Sequence, residues 1–173
     1  DLFDTLLDKV WFDYNKGLEY LADKYFDQRL DKLTLYAEEY RKQFLLDRNE
    51  TQREKSFFDQ LVFYENKFGK KLAKSRDEIE WEVFSICREE RLAVGAKSLL
   101  GYLFDRGYTL AVLSNSIFSS KTLKKYMAEF EIEQYFTKVV SSADIIYRKP
   151  SGEAFQFVLN TLGASPSPEI YFI

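Results

Sequence analysis

A chain of 173 residues, 46% apolar and 31% charged, is long enough for one domain with a sizeable core and an insertion, and no apolar run nears the ~18 residues a membrane-spanning helix needs. The 25 Lys and Arg against 28 Asp and Glu leave a net charge of -3 without a long basic block, which excludes a protein built mainly to hold nucleic-acid phosphates. The chain has no histidine, so Ser-His-Asp and Cys-His pairs and His-ligated zinc are excluded, and any catalysis must run on carboxylates, Lys, Tyr, Ser or Thr. A lone cysteine, Cys87, cannot form an intrachain disulfide; with no secretory signal visible, a cytoplasmic location is expected.

Apolar residues at steps of three and four predict amphipathic helices through Trp11, Tyr14, Leu18, Leu21 and Tyr25, and again through Leu30, Leu33, Ala37, Tyr40 and Phe44. A third helix carries Phe57, Phe58, Leu61, Val62 and Phe68 and stops at Gly69. A fourth starts near Ser75, which has the spacing of a capping box with Glu78, and runs through Ile79, Val83 and Ile86. Residues 10–92 therefore read as an all-helical unit.

From Gly95 the period changes. A helix with Leu99, Leu100, Leu103 and Phe104 ends at Gly107, and Thr109 to Leu113 reads as a short buried strand. A helix follows Ser119 and Ser120, then a strand at Val139 and Val140, then a helix opened by Pro150 and closed by Gly163. Ser165 to Pro168 reads as a loop and Glu169 to Ile173 as the start of another strand. Strands alternating with helices imply right-handed crossovers and a parallel sheet covered on both faces, an α/β architecture with a helical insertion.

In such a sheet, ligands collect at the carboxyl ends of the strands, where loops converge. Those ends are Ser114 and Asn115 after one strand and Arg148, Lys149 and Pro150 after the other; the chain itself opens with DLFDTL. DLFDTL, LAVLSNS and SSADIIYRKP, in that order, resemble the first three motifs of the haloacid dehalogenase (HAD) superfamily. The roughly 80 helical residues between the first two match that superfamily's C1 type of cap. The resemblance spans essentially the whole chain and implies a Rossmann-like core of residues 1–9 and 93–173 with a cap of residues 10–92. It implies Asp1 as a nucleophile forming a covalent aspartyl intermediate, Ser114 bonding the transferring group, and Lys149 offsetting charge. It also implies Mg²⁺ held by the Asp1 carboxylate and the Phe3 backbone carbonyl in members that transfer phosphoryl groups. Thr5 would fix the turn and Asn115 shape the loop. A carboxylate attacking a phosphate dianion needs such positive charge nearby.

Two features depart from the pattern. Phosphatases of the family carry a second Asp two residues after the nucleophile, an acid and base worth ~10² to 10⁴ in rate; this chain has Phe3 there. Asp4 is a surrogate only if the turn is loose, because neighbouring side chains in an extended segment face opposite ways. An aromatic at this position resembles the dehalogenase branch, where halide leaves without a proton. The chain also looks trimmed: it starts at the nucleophile and stops at IYFI, so the remaining metal ligands are expected beyond Ile173.

The expected function is thus a HAD-like hydrolase of a small molecule, foremost a Mg²⁺-dependent phosphatase. A metal-free dehalogenase is the alternative, with no halide-binding arginine assignable among Arg29, Arg41 and their neighbours. The third reading is a catalytically weak binding or regulatory module. Neither nucleic acid nor membrane is an expected partner. Taken singly, Asp1 reads as a surface group, Ser114 and Asn115 as turn formers, and Arg148 and Lys149 as exposed cations. The 16 Phe and 12 Tyr fall mostly at helical spacing and read as packing. Cys87 reads as buried filler, and Lys70, Lys71 and Lys74 as a solvated face.

Overall fold

A computed structural model describes residues 1–165 and 169–173. Helices α1 (Tyr14–Leu21), α2 (Leu30–Thr51), α3 (Phe57–Phe68) and α4 (Arg76–Cys87) pack on one another. The α1 helix continues into a π-helical turn, Ala22–Phe26. The stop at Gly69 is a left-handed residue with φ of 61°. At the start of α4, Ser75 accepts from the Glu78 backbone N–H, as the sequence spacing predicts. A full capping box, between Ser56 and Asp59, starts α3.

The helical unit is not helical throughout. Leu7–Phe12 (β1) and Arg88–Leu92 (β2) pair antiparallel where the chain enters and leaves it. Helical periodicity misses this ribbon because its partners lie far apart in sequence and the pairing is made by backbone groups. Asp8 opposite Arg91 forms a 3.8 Å ion pair.

The second half alternates α5 (Ala96–Asp105), β3 (Ala111–Ser114), α6 (Ser120–Glu129), β4 (Lys138–Ser141), α7 (Ser142–Ile145) and α8 (Gly152–Leu162). Strands β3 and β4 run parallel, with Val112 opposite Val139 and Leu113 opposite Val140. The two-residue alternation sends the pairs to opposite faces. Val112 and Val139 join a core cluster with Leu123 and Met127 of α6, whereas Leu113 and Val140 pack on Ala154 of α8. Both faces are therefore covered, as a parallel sheet requires. Helix α8 starts two residues beyond Pro150, with Ser151 at its N-cap. Residues 169–173 form no strand, and 166–168 of the expected loop lie outside the described residues. Among the described residues no helix is long and apolar enough to cross a membrane.

One apolar cluster runs from Leu18, Phe57 and Phe84 of the helical unit to Phe118 and Tyr126 of the α/β half. Phe118 lies 4.9 Å from the Phe84 ring and 5.6 Å from Phe57, so the halves share a core. Within the helical unit, α1 and α4 approach at Gly17, where a Cβ would meet Cys87 Sγ at 2.5 Å and Val83 Cγ1 at 3.0 Å. Gly17→Ala is therefore expected to cost about 1–3 kcal/mol by overpacking. At about 2–4 °C per kcal/mol for a chain of this size, calorimetry should record a clearly lower Tm; an unchanged Tm would contradict the close approach.

Candidate active site

The first residues fold back on themselves: the N–H groups of Leu6 and Leu7 donate to the Leu2 carbonyl, and that of Asp4 to Leu7. Buried Leu2 and Leu7 anchor this turn. Asp1 is thereby set against the loop after α7, where Lys149 Nζ lies 2.5 Å from Asp1 Oδ2. The lysine side chain is only 11% exposed, and its ammonium lies 5.0 Å from the Phe172 ring centroid. The Asp1 backbone nitrogen donates to the Ile173 carbonyl at 2.9 Å.

Asn115 fixes the lysine from the other side. Its Oδ1 accepts from the Lys149 N–H at 2.7 Å and its Nδ2 donates to the Lys149 carbonyl at 2.9 Å. The side chain at the end of β3 therefore clamps the main chain that delivers the ammonium. Ser114, one residue earlier, is fully buried, and among the described residues its Oγ has no hydrogen-bond partner. A buried hydroxyl left unpaired is costly and needs a reason, which a bound group's oxygen would supply. The structure thus joins Asp1 to Lys149 and Lys149 to Asn115, while Ser114 bonds to none of them.

The other sequence-derived candidates make no ion pair or side-chain hydrogen bond with Asp1 or Lys149 among the described residues. Asp4 is left-handed, with φ of 57°; its carboxylate is exposed and makes no ion pair among the described residues. Thr5 is exposed in the same turn. Phe3 is half-buried and packs against the core.

Sequence reasoning missed a second set. Glu54, 4% exposed, accepts from Ser142 Oγ at 2.9 Å and lies 3.6 Å from Arg48 and 3.9 Å from Arg148. Arg148, expected to be an exposed cation, has a side chain only 21% exposed. In the run RNETQREKS, Glu54 is one charge among many, so the sequence carries no signal for its burial. Here the segment after α2 is bonded to the lysine loop. The Glu54 N–H donates to the Ile146 carbonyl at 2.5 Å, and the Arg148 N–H to the Gln52 carbonyl at 3.1 Å.

Burial pulls the Lys149 ammonium down to about 8, because a low-dielectric site disfavours the charged form. The Asp1 carboxylate opposes that pull, so the positive charge is lost only as pH rises through 8 or higher. The donors that the family resemblance assigns to Mg²⁺ do not make a site by themselves. Asp1 Oδ2 is held by Lys149 and Oδ1 accepts from the Leu2 N–H at 2.8 Å. Among the described residues no group of three His, Cys, Asp or Glu side chains could hold a metal ion.

Residues 7–172 match the family model described as haloacid dehalogenase-like hydrolase. The chain belongs to the haloacid dehalogenase-like hydrolases. The matched span begins after Asp1 and Thr5, so membership does not rest on those two residues. Among solved structures, this hydrolase is similar to a dehalogenase determined with an intermediate complex (18% identity, 91% of this chain and 69% of that one, TM-score 0.49). It is also similar to a HAD phosphatase from Thermococcus onnurineus (19%, 96% and 72%, 0.46). A third similarity is to a predicted phosphoglycolate phosphatase from Haemophilus somnus (23%, 58% and 46%, 0.42). No curated protein sequence matches the chain significantly.

Removing the clamp tests its part in this HAD-like hydrolase. Asn115→Ala deletes two hydrogen bonds worth ~0.5–1.5 kcal/mol each, so urea unfolding should show about 1–3 kcal/mol lost. An unchanged midpoint would mean that the clamp carries no weight.

Proposed function

We propose that the chain hydrolyses a small organic phosphate monoester through Asp1, with residues 1–9 and 93–173 as core, 10–92 as cap, and the cytoplasm as its compartment. The observation that carries this reading is the Asp1–Lys149 contact, which pairs a carboxylate with a mostly buried ammonium. Asp1 attacks phosphorus, the bond from phosphorus to the ester oxygen breaks, and an aspartyl phosphate forms. Water then attacks that phosphorus, releasing phosphate and restoring the carboxylate. Lys149 offsets the negative charge gathered when carboxylate and phosphate meet. Ser114, whose buried Oγ is unpaired among the described residues, donates to a phosphoryl oxygen, and Asn115 positions Lys149.

Phe3 offers no proton to the departing oxygen. The rate should therefore depend on how stable the leaving anion is, with aryl phosphates turned over far faster than alkyl phosphates. Introducing the missing acid by Phe3→Asp should raise alkyl ester turnover by up to ~10². The same residue favours a second reading, displacement of halide from a 2-haloacid by Asp1, where no proton is needed.

Both readings share one assay: release of phosphate or halide from panels of phosphate esters and 2-haloacids, with and without Mg²⁺, beside Asp1→Asn. Phosphate release lost in Asp1→Asn supports the first reading, and halide release the second. Silence on both panels counts against both and favours a binding module. The pH profile adds a test of Lys149. Because the charged lysine is the working form and burial lowers its pKa to about 8, kcat/KM should fall on the alkaline side with an apparent pKa at or above 8. In Lys149→Arg, which stays charged, that limb should move beyond pH ~11. A limb that stays in place would assign it to another group.

A further inference from the structure

A cavity of about 380 Å³ opens between α1, α2, the segment after α2, and the core residue Ile117. Such a volume suits a small organic molecule. Its walls combine rings and aliphatic side chains, among them Tyr14, Leu18 and Phe44, with three cations, Arg41, Arg48 and Lys55. Two carboxylates face them, Glu38 and Glu54, and Glu54 is already engaged by Ser142 Oγ and lies beside Arg48 and Arg148. Positive charge is therefore in surplus, in a chain whose net charge is -3.

Three polar atoms of its lining lack a hydrogen-bond partner among the described residues: the Tyr40 hydroxyl, Arg48 Nε and Glu54 Oε1. Tyr40 is 8% exposed. Burial raises the phenol's pKa, so it stays a donor. Arg48 Nε is a second buried donor, and the acceptor Glu54 Oε1 lies 3.6 Å from Arg48 Nη1, which offsets its charge. Arg41, exposed at the rim, makes no ion pair among the described residues. Buried donors rarely go unsatisfied, and a planar guanidinium is the side chain that best grips a carboxylate.

We propose that this cavity binds the organic portion of the substrate and selects molecules carrying a carboxylate, gripped by Arg41 and Arg48 with Tyr40 donating to it. The inference rests on the hydrolase reading, because two features tie the cavity to the catalytic loops. Ile117 follows Ser114 by three residues, and Glu54 reaches Arg148, the neighbour of Lys149. The substrate class is then a phosphate ester whose alcohol part is apolar and acidic.

Calorimetry on the full chain with 4-hydroxybenzoate, phenol and tyramine separates charge from shape. The acid should bind at least ~10-fold more tightly than phenol, and tyramine no better than phenol. Arg41→Gln and Arg48→Lys, the latter keeping a cation beside Glu54, should each erase most of that preference. Tyr40→Phe should weaken the acid several-fold with an unchanged circular dichroism spectrum. Equal affinity for all three probes, or a preference that survives both arginine substitutions, overturns the proposal. The same titration with Asp1→Asn separates it from the catalytic reading. Acid binding retained in a chain whose wild type releases no phosphate leaves the cavity standing and removes the hydrolase reading; turnover without acid preference does the reverse.

Discussion

The contact between Asp1 and Lys149 is the constraint on which the rest of the site depends. A lysine with 11% of its side chain exposed has lost most of its hydration, and the protein must replace it or lose the charge. The replacement comes from opposite ends of the sequence: a carboxylate fixed by the turn on Leu2 and Leu7, and a loop whose backbone is gripped by Asn115. Because the grip is on main-chain atoms, the lysine's Cα is held whether or not the ammonium is charged. On the proposed reading the side chain would then have little freedom left to lose on meeting a dianion, which is how a fixed charge outperforms a mobile one.

Two buried carboxylates decide how the helical unit sits on the α/β half. Glu80, 1% exposed on α4, accepts from the Ser119 N–H at 2.9 Å, from its hydroxyl, and from Thr122 Oγ1 at 2.6 Å, so it caps α6 from across the junction. Desolvation raises its pKa, and these hydrogen bonds oppose that rise. Glu54 does similar work on the lysine loop. Deleting a partner while the halves stay packed would strand a carboxylate, and an uncompensated buried charge costs several kcal/mol. Separating the halves would open the apolar cluster through Phe57, Phe84 and Phe118. The helical unit is therefore bound as a wall along the site, by polar groups where it meets the loops and by aromatic rings beneath them.

What the sequence discloses follows the range of the interactions. Residues whose job is local were legible: Gly69 and Gly163 as helix ends, Ser75 as a cap, and Val112, Leu113, Val139 and Val140 as parts of short buried strands. The β1–β2 ribbon was illegible because neither segment announces a partner so far along the chain. Arg148 and Glu54 read as solvated charges because burial is a property of the assembled halves and not of the residues. The resemblance to the HAD motifs directed attention to Asp1, Asn115 and Lys149. Of the couplings now visible, the direction in which Asn115 faces, onto the lysine main chain, was not contained in the motif.

Phe3 and the contacts of Asp1 bear together on the proposed reading. The Asp1 oxygens accept from the Lys149 ammonium and the Leu2 backbone N–H, and a carboxylate, with about four lone-pair sites, keeps others free. On that reading the ammonium would be shared between Asp1 and an arriving anion, so an anionic substrate would be drawn to the carboxylate by the charge that lies between them, whereas a neutral one would not. With Phe3 in place of an acid, the departing group would carry its own negative charge. On the proposed reading these two demands together would select an anion at the point of attack and a stable anion on departure, both through the same few residues.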